Sequence, residues 1–172
     1  MQYSFRCATC GKTHHGMPSL GALAPFSYYE VPEAERESRC SLGSDDCVID
    51  ENLFFVRGSL EIPVHGYKES FSWGVWLSLS EASFREWIRT FDVAKRSNVG
   101  PFFGWLNTQL SIYPETLNLK TMVHLRDNGI RPYIELEPTD HPLALEQRNG
   151  ISPERLAQIY REVMHPDDAA RS

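Results

Sequence analysis

Hydrophobic and polar positions alternate most regularly near the middle of the chain. Phe71, Trp73, Val75, Leu77 and Leu79 take every second place, with Ser72, Gly74, Trp76 and Ser78 between them, the period of a strand with one buried face. Trp73 falls on the apolar side and reads as core. Trp76 falls on the other side, to be buried under a helix or left as a binding surface. Residues 53–62 (LFFVRGSLEI) predict a second strand, residues 47–50 a short one leading into it, and the 63–70 connection with Gly66 suits a hairpin or a near neighbour. After Leu79 the period changes. Ser80 caps a helix whose Phe84, Trp87, Ile88 and Phe91 form one apolar face. The aromatic run 102–106 reads as inserted in the core. Residues 121–125 and 133–137 predict two more strands, joined through the turn Asp127-Asn128-Gly129. Asp140 is the expected N-cap of a short helix over 141–148, Asn149-Gly150 stops it, and Ser152-Pro153-Glu154 starts a last helix. The polar tail after His165 reads as frayed.

The first 50 residues are less periodic. A short strand runs into a turn within 3–16, a loop of small residues follows, and Pro32-Glu33-Ala34-Glu35 opens a short polar helix. The pattern predicts an α+β fold, mainly an antiparallel sheet with flanking helices and an N-terminal zinc-ribbon-like knuckle. A chain of 172 residues fits a single domain, 1–172, with residues 3–50 carrying the knuckle.

Charge narrows the partners. The formal net charge of −6, with no Lys/Arg cluster, argues against nucleic acid, whose binding needs a basic surface to displace counterions. The acidic balance suits a basic protein partner, and serves also simply as a margin of solubility. No apolar run approaches a membrane span and the N-terminus lacks a signal-peptide profile, so a cytoplasmic location without membrane contact is expected. There, four cysteines are metal ligands or reduced thiols rather than disulfides.

The strongest chemical pattern is Cys7-Ala8-Thr9-Cys10-Gly11-Lys12-Thr13-His14-His15. Two thiols three positions apart, a glycine able to take positive φ and a nearby imidazole are half of a structural Zn2+ site. Either His14 or His15 gives a third ligand. A fourth is sought among Cys47, Cys40 and His141, with Cys47 best placed at a turn-to-strand junction. A thioredoxin-like redox pair would need a long helix directly after the motif, and a Gly-Lys-Thr-His-His turn stands there instead.

Several blocks carry a family resemblance: the Cys-x-x-Cys-Gly-x-x-His knuckle, Asp46-Cys47-Val48-Ile49-Asp50, Phe54-Phe55-Val56-Arg57-Gly58, Trp73-Gly74-Val75-Trp76-Leu77-Ser78-Leu79-Ser80, Tyr113-Pro114-x-Thr116-Leu117, and the stretch from Arg131-Pro132 to Ala144. In this order they resemble an uncharacterised bacterial family, domain of unknown function 2199. The resemblance implies that His14 rather than His15, and Cys47 rather than Cys40, hold the family positions, giving Cys7, Cys10, His14 and Cys47 as the metal set. It carries no activity across.

One further polar string invites chemistry. Glu135 and Glu137 share a face of their predicted strand, Asp140 and His141 follow, and His124 lies on the neighbouring strand. Such a set suits metal or acid–base work, although alternating Glu also marks a solvent face. Arg57, in an otherwise apolar strand, and Arg131 are candidates to pair with these acids. The expected function is a zinc-stabilised binding or interaction protein. The alternative is a metal-dependent, hydrolase-like enzyme using Glu135, Glu137, Asp140 and His141.

Overall fold

The computed structural model describes residues 3–7 and 9–166; the tail read as frayed lies almost wholly outside them. The N-terminal part comprises β1 (Ser4–Arg6), β2 (Thr13–His15), β3 (Ser19–Gly21), α1 (Phe26–Glu30), α2 (Glu33–Arg39), β4 (Cys40–Leu42) and β5 (Asp46–Ile49). The central part follows as β6 (Leu53–Ile62), β7 (Phe71–Leu79), α3 (Glu81–Arg89), β8 (Phe102–Leu106), β9 (Lys120–His124) and β10 (Tyr133–Leu136), and α4 (Pro142–Asn149) and α5 (Pro153–Met164) complete it.

The fold is α+β, but the plain antiparallel sheet expected from the sequence is corrected: strands β6 to β10 curl into a closed five-strand barrel. Each pairs antiparallel with the next. With an odd number of strands the first and last run the same way, so the closing contact has to be parallel. It is made where Tyr133 pairs with Ser59, and the Ser59 N–H donates to the Pro132 carbonyl at 2.8 Å. Closure removes the exposed edges that an open sheet would leave. Outside the barrel, β3 adds parallel to β7, and β5 and β4 extend antiparallel from β6.

Alternation along β6 and β7 fills the barrel: Val56, Leu60, Ile62, Trp73, Val75 and Leu77 point inward and are at most 3% exposed. Gly58 also points inward, and a Cβ built there would collide with the terminal carbons of Ile134 on β10. The missing side chain is what lets the closing strand approach. We expect Gly58→Val to cost about 1–3 kcal/mol through overpacking, read as a lower urea midpoint with an unchanged slope.

A second apolar cluster lies on the outer wall. Trp76 is 0% exposed among Val31, Cys47, Ile49 and Phe55, with Tyr28 and Cys40 packed against them. Its indole N–H donates to the Ala22 carbonyl at 3.2 Å and its backbone N–H to Thr108 Oγ1 at 2.8 Å. Trp76 is therefore buried, under the layer of α1, β4 and β5.

Two local expectations change. The run 102–106 is a barrel strand rather than an insertion: Gly104 and Leu106 face in, while Phe103 and Trp105 face out. The N-cap of α4 is His141, not Asp140, because Pro142 occupies the first helical position and the cap must precede it; His141 Nδ1 accepts the Leu143 N–H at 3.2 Å. No helix among the described residues is long and apolar enough to cross a membrane.

Candidate functional site

The N-terminal hairpin pairs Ser4 with His15, Phe5 with His14 and Arg6 with Thr13. Its turn is the Cys-x-x-Cys knuckle, held by the Cys7 N–H donating to the Lys12 carbonyl and the Gly11 N–H to the Cys7 carbonyl, each at 2.9 Å. Gly11 takes φ 68°, which glycine alone adopts without penalty. Cys7 is buried and Cys10 exposed. Burial raises the Cys7 thiol, but hydrogen bonds from the backbone N–H groups of Cys10 and Thr9, and from their side chains, outweigh it and leave the thiol below its ordinary value.

The hairpin packs on α5. Tyr3 Oη donates to the Pro153 carbonyl at 3.3 Å, and Phe5 meets Tyr160 edge-on at 5.1 Å. This brings the end of α5 to the knuckle. The ligand atoms of Cys7, Cys10 and His165 all lie within 4.8 Å of one another, a group able to hold a metal ion. Ligands on one zinc ion can be at most about 4.6 Å apart, twice the Zn–S length, so the spacing fits a shared ion with small adjustment. Two thiols and an imidazole are zinc donors by chemistry.

His14 stands beside this group. Its Nε2 is 3.4 Å from Cys10 Sγ, its Nδ1 is 3.2 Å from the Tyr160 hydroxyl, and its ring stacks on Phe5 at 5.2 Å. A hydrogen bond at Nδ1 leaves Nε2 free and aimed at the thiols, the usual arrangement of a metal-binding histidine. His15, one position on, faces the other way and is exposed.

Cys47, expected in the metal set, is placed elsewhere. It lies on β5 opposite Phe55, wholly inside the outer apolar cluster with Trp76. Burial, then Cys40 and Asp46 nearby, push its thiol up to about 12. The residue that the sequence reading missed is His165. It caps the C-terminus of α5 at the far end of the chain from the knuckle, with no local motif around it. It is brought there by the docking of the hairpin on α5, which no sequence spacing announces.

The acidic string is dispersed. Glu135 Oε2 lies 2.8 Å from His124 Nε2, and Glu137 is 3.7 Å from the Lys120 ammonium. Asp140 is exposed, and His141 is used as a helix cap with a buried, unpartnered Nε2. Among the described residues these side chains form no group able to share a metal. Arg131 pairs with Asp45 at 2.7 Å rather than with either glutamate. What Glu135 and Glu137 do line is the outer face of β8, β9 and β10. Its register sets Trp105 beside Lys120 and Phe103 beside Met122, and Met122 beside Glu135. Phe103 and Trp105 meet edge-to-face at 5.0 Å and remain 45% and 41% exposed. A cavity of about 260 Å³ opens between Phe103, Met122 and Glu135, and one of about 210 Å³ between Trp105, Glu137 and Thr139.

No curated protein and no solved structure matches the chain. Residues 6–151 match the family described as "Uncharacterized protein conserved in bacteria (DUF2199)". That span takes in the knuckle, the outer cluster, the whole barrel and α4, and on it the chain belongs to this bacterial family.

Proposed function

We propose that this protein is a zinc-stapled barrel that binds a basic segment of a partner protein on the outer face of β8–β10. Cys7, Cys10, His14 and His165 would hold the ion, two thiolates and two imidazoles in a closed tetrahedral set. A closed set leaves no position for substrate, so the metal's role is to fasten the N-terminal hairpin to α5.

The observation that carries the binding reading is the Phe103–Trp105 pair, exposed on a strand whose alternate residues are core. Aromatic faces beside carboxylates attract ammonium and guanidinium groups. The chain's own Lys120 already lies between Trp105 and Glu137, so this row accommodates a cation. The net charge of −6 acts in the same direction over a longer range. The hydrolase-like alternative has the His124–Glu135 contact in its favour, but the proposed acid, base and metal ligands do not converge.

The test is calorimetric titration of an arginine-rich peptide into wild type, Trp105→Ala and the double variant Glu135→Gln/Glu137→Gln. Binding to wild type should fall as salt rises and weaken about tenfold or more in either variant, the scale of an aromatic or charged anchor. Equal binding by all three proteins would overturn the reading.

A further inference from the structure

Arg57 takes no part in the staple or in the β8–β10 face. It sits on the outer wall of the barrel directly opposite Trp76 in the β6–β7 ladder, with its guanidinium carbon 5.9 Å from the Trp76 ring centroid. The guanidinium lies along the ladder over Gly74: a Cβ added there would be 3.5 Å from Nη2 and 3.7 Å from Nε. Its Nε is fully buried and has no acceptor. That is the most expensive state for a charge-assisted donor, because its hydration is gone and nothing replaces it.

The surrounding charges do not settle it. Three arginines collect where β6 meets β10. Arg126 pairs with Glu61 at 2.6 Å and Arg131 with Asp45 at 2.7 Å, while among the described residues no carboxylate pairs with Arg57. The parallel register Tyr133 to Ser59 brings Arg131, two residues earlier, alongside Arg57, two residues earlier on its own strand. Burial, and then the charge of Arg131, hold the Arg57 guanidinium below its ordinary value, with Asp45 opposing. Like charges side by side on adjacent strands oppose folding. Yet here one of them lies against the Trp76 ring, and Ser59 adds a hydroxyl on the same wall. A planar fork beside a second guanidinium is a geometry that takes two oxygens of one anion.

We propose that Arg57 and Arg131, with Ser59 at the rim, form an oxyanion subsite on the barrel wall, taking the carboxylate or phosphate group of a small molecule. The bound oxygens accept from the Arg57 guanidinium, with which no carboxylate pairs among the described residues, and add to the counter-charge that Asp45 supplies to the pair. The site is separate from the β8–β10 face and does not depend on the metal.

Inorganic phosphate and acetate, each titrated at constant ionic strength, test the proposal and tell the two groups apart. At least one anion should bind wild type, and the tighter one names the group. Arg57→Met keeps the aliphatic stem against Trp76 and should weaken binding about tenfold or more, the worth of a charge-assisted hydrogen bond. Arg57→Lys should recover only part of the loss, since an ammonium has no fork. Arg131→Met, at a more exposed position, should also weaken binding and serves if Arg57→Met fails to fold. Arg85→Met, on α3 and paired with Glu81, should bind as wild type does. Failure of both anions to bind wild type, or equal binding by wild type and the folded Arg57 or Arg131 variants, would overturn the proposal.

Discussion

Stripping the metal with a chelator is expected to lower the melting temperature by on the order of 10 °C and to free the N-terminal hairpin from α5 while the barrel stays folded. The hairpin cannot stand by itself: it has only three residue pairs, and a lone two-stranded hairpin is marginal in water. Its anchors to α5 are the Tyr3 hydroxyl on the Pro153 carbonyl and the contacts of Phe5 and His14 with Tyr160. These are small beside a ligand present at a thousand times its Kd, which stabilises the native state by about 4 kcal/mol. For a chain of this length each kcal/mol moves the midpoint by roughly 2–4 °C. The barrel has its own interior and its own closing pair, so its amides should keep their protection against hydrogen exchange while those of the hairpin, β1 and β2, lose theirs. Uniform loss of protection would mean the ion supports the whole fold. No change at all would mean it supports nothing.

The second large effect is expected from Trp76→Ala, at about 3–5 kcal/mol of unfolding free energy. Trp76 is 0% exposed and is the largest member of the outer cluster, with Val31, Ile49 and Phe55 around it. Truncation leaves a void that α1, β4 and β5 would have to collapse into, and strands the Ala22 carbonyl that accepts the indole N–H. It also removes the ring beneath Arg57. Denaturant titration should show the loss as a shifted midpoint. A change below about 1 kcal/mol would mean the outer layer packs on the barrel by other contacts, because buried tryptophans that matter do not cost so little.

Much of the barrel was legible, and the reasons are local. In β7 Phe71, Trp73, Val75, Leu77 and Leu79 alternate with small or polar residues, broken only by Trp76, and the structure buries those five positions. In β8 aromatic residues stand on both faces, so Phe103 and Trp105 masked the period, and exposure rather than hydrophobicity separates them from Leu106. Closure was not legible, since it rests on one parallel pair, Tyr133 with Ser59, and on a glycine whose need appears only when Ile134 arrives from another strand. The cap of α4 was legible in principle: Pro142 prefers the first helical position, which points to His141.

The candidate site divides the same way. The knuckle announces itself because both thiols and the Gly11 turn lie within a few residues. His14 is singled out from His15 in the structure by strand alternation, which turns one imidazole to Cys10 and the other to solvent. Cys47 looked suitable from its place at a strand start, but its strand pairs with β6 and buries the thiol inside the tryptophan-centred cluster. His165 could not be found from spacing, because tertiary packing brings that end of the chain near, through Tyr3 on Pro153 and Phe5 and His14 on Tyr160.

The most direct measurement is the zinc content of purified wild type, Cys7→Ser, His165→Ala and Cys47→Ser. About one zinc per chain is expected in wild type and in Cys47→Ser, with loss of zinc in Cys7→Ser and weakened retention against a chelator in His165→Ala. Metal-free wild-type protein, or zinc lost from Cys47→Ser but kept by His165→Ala, would contradict the proposed ligand set.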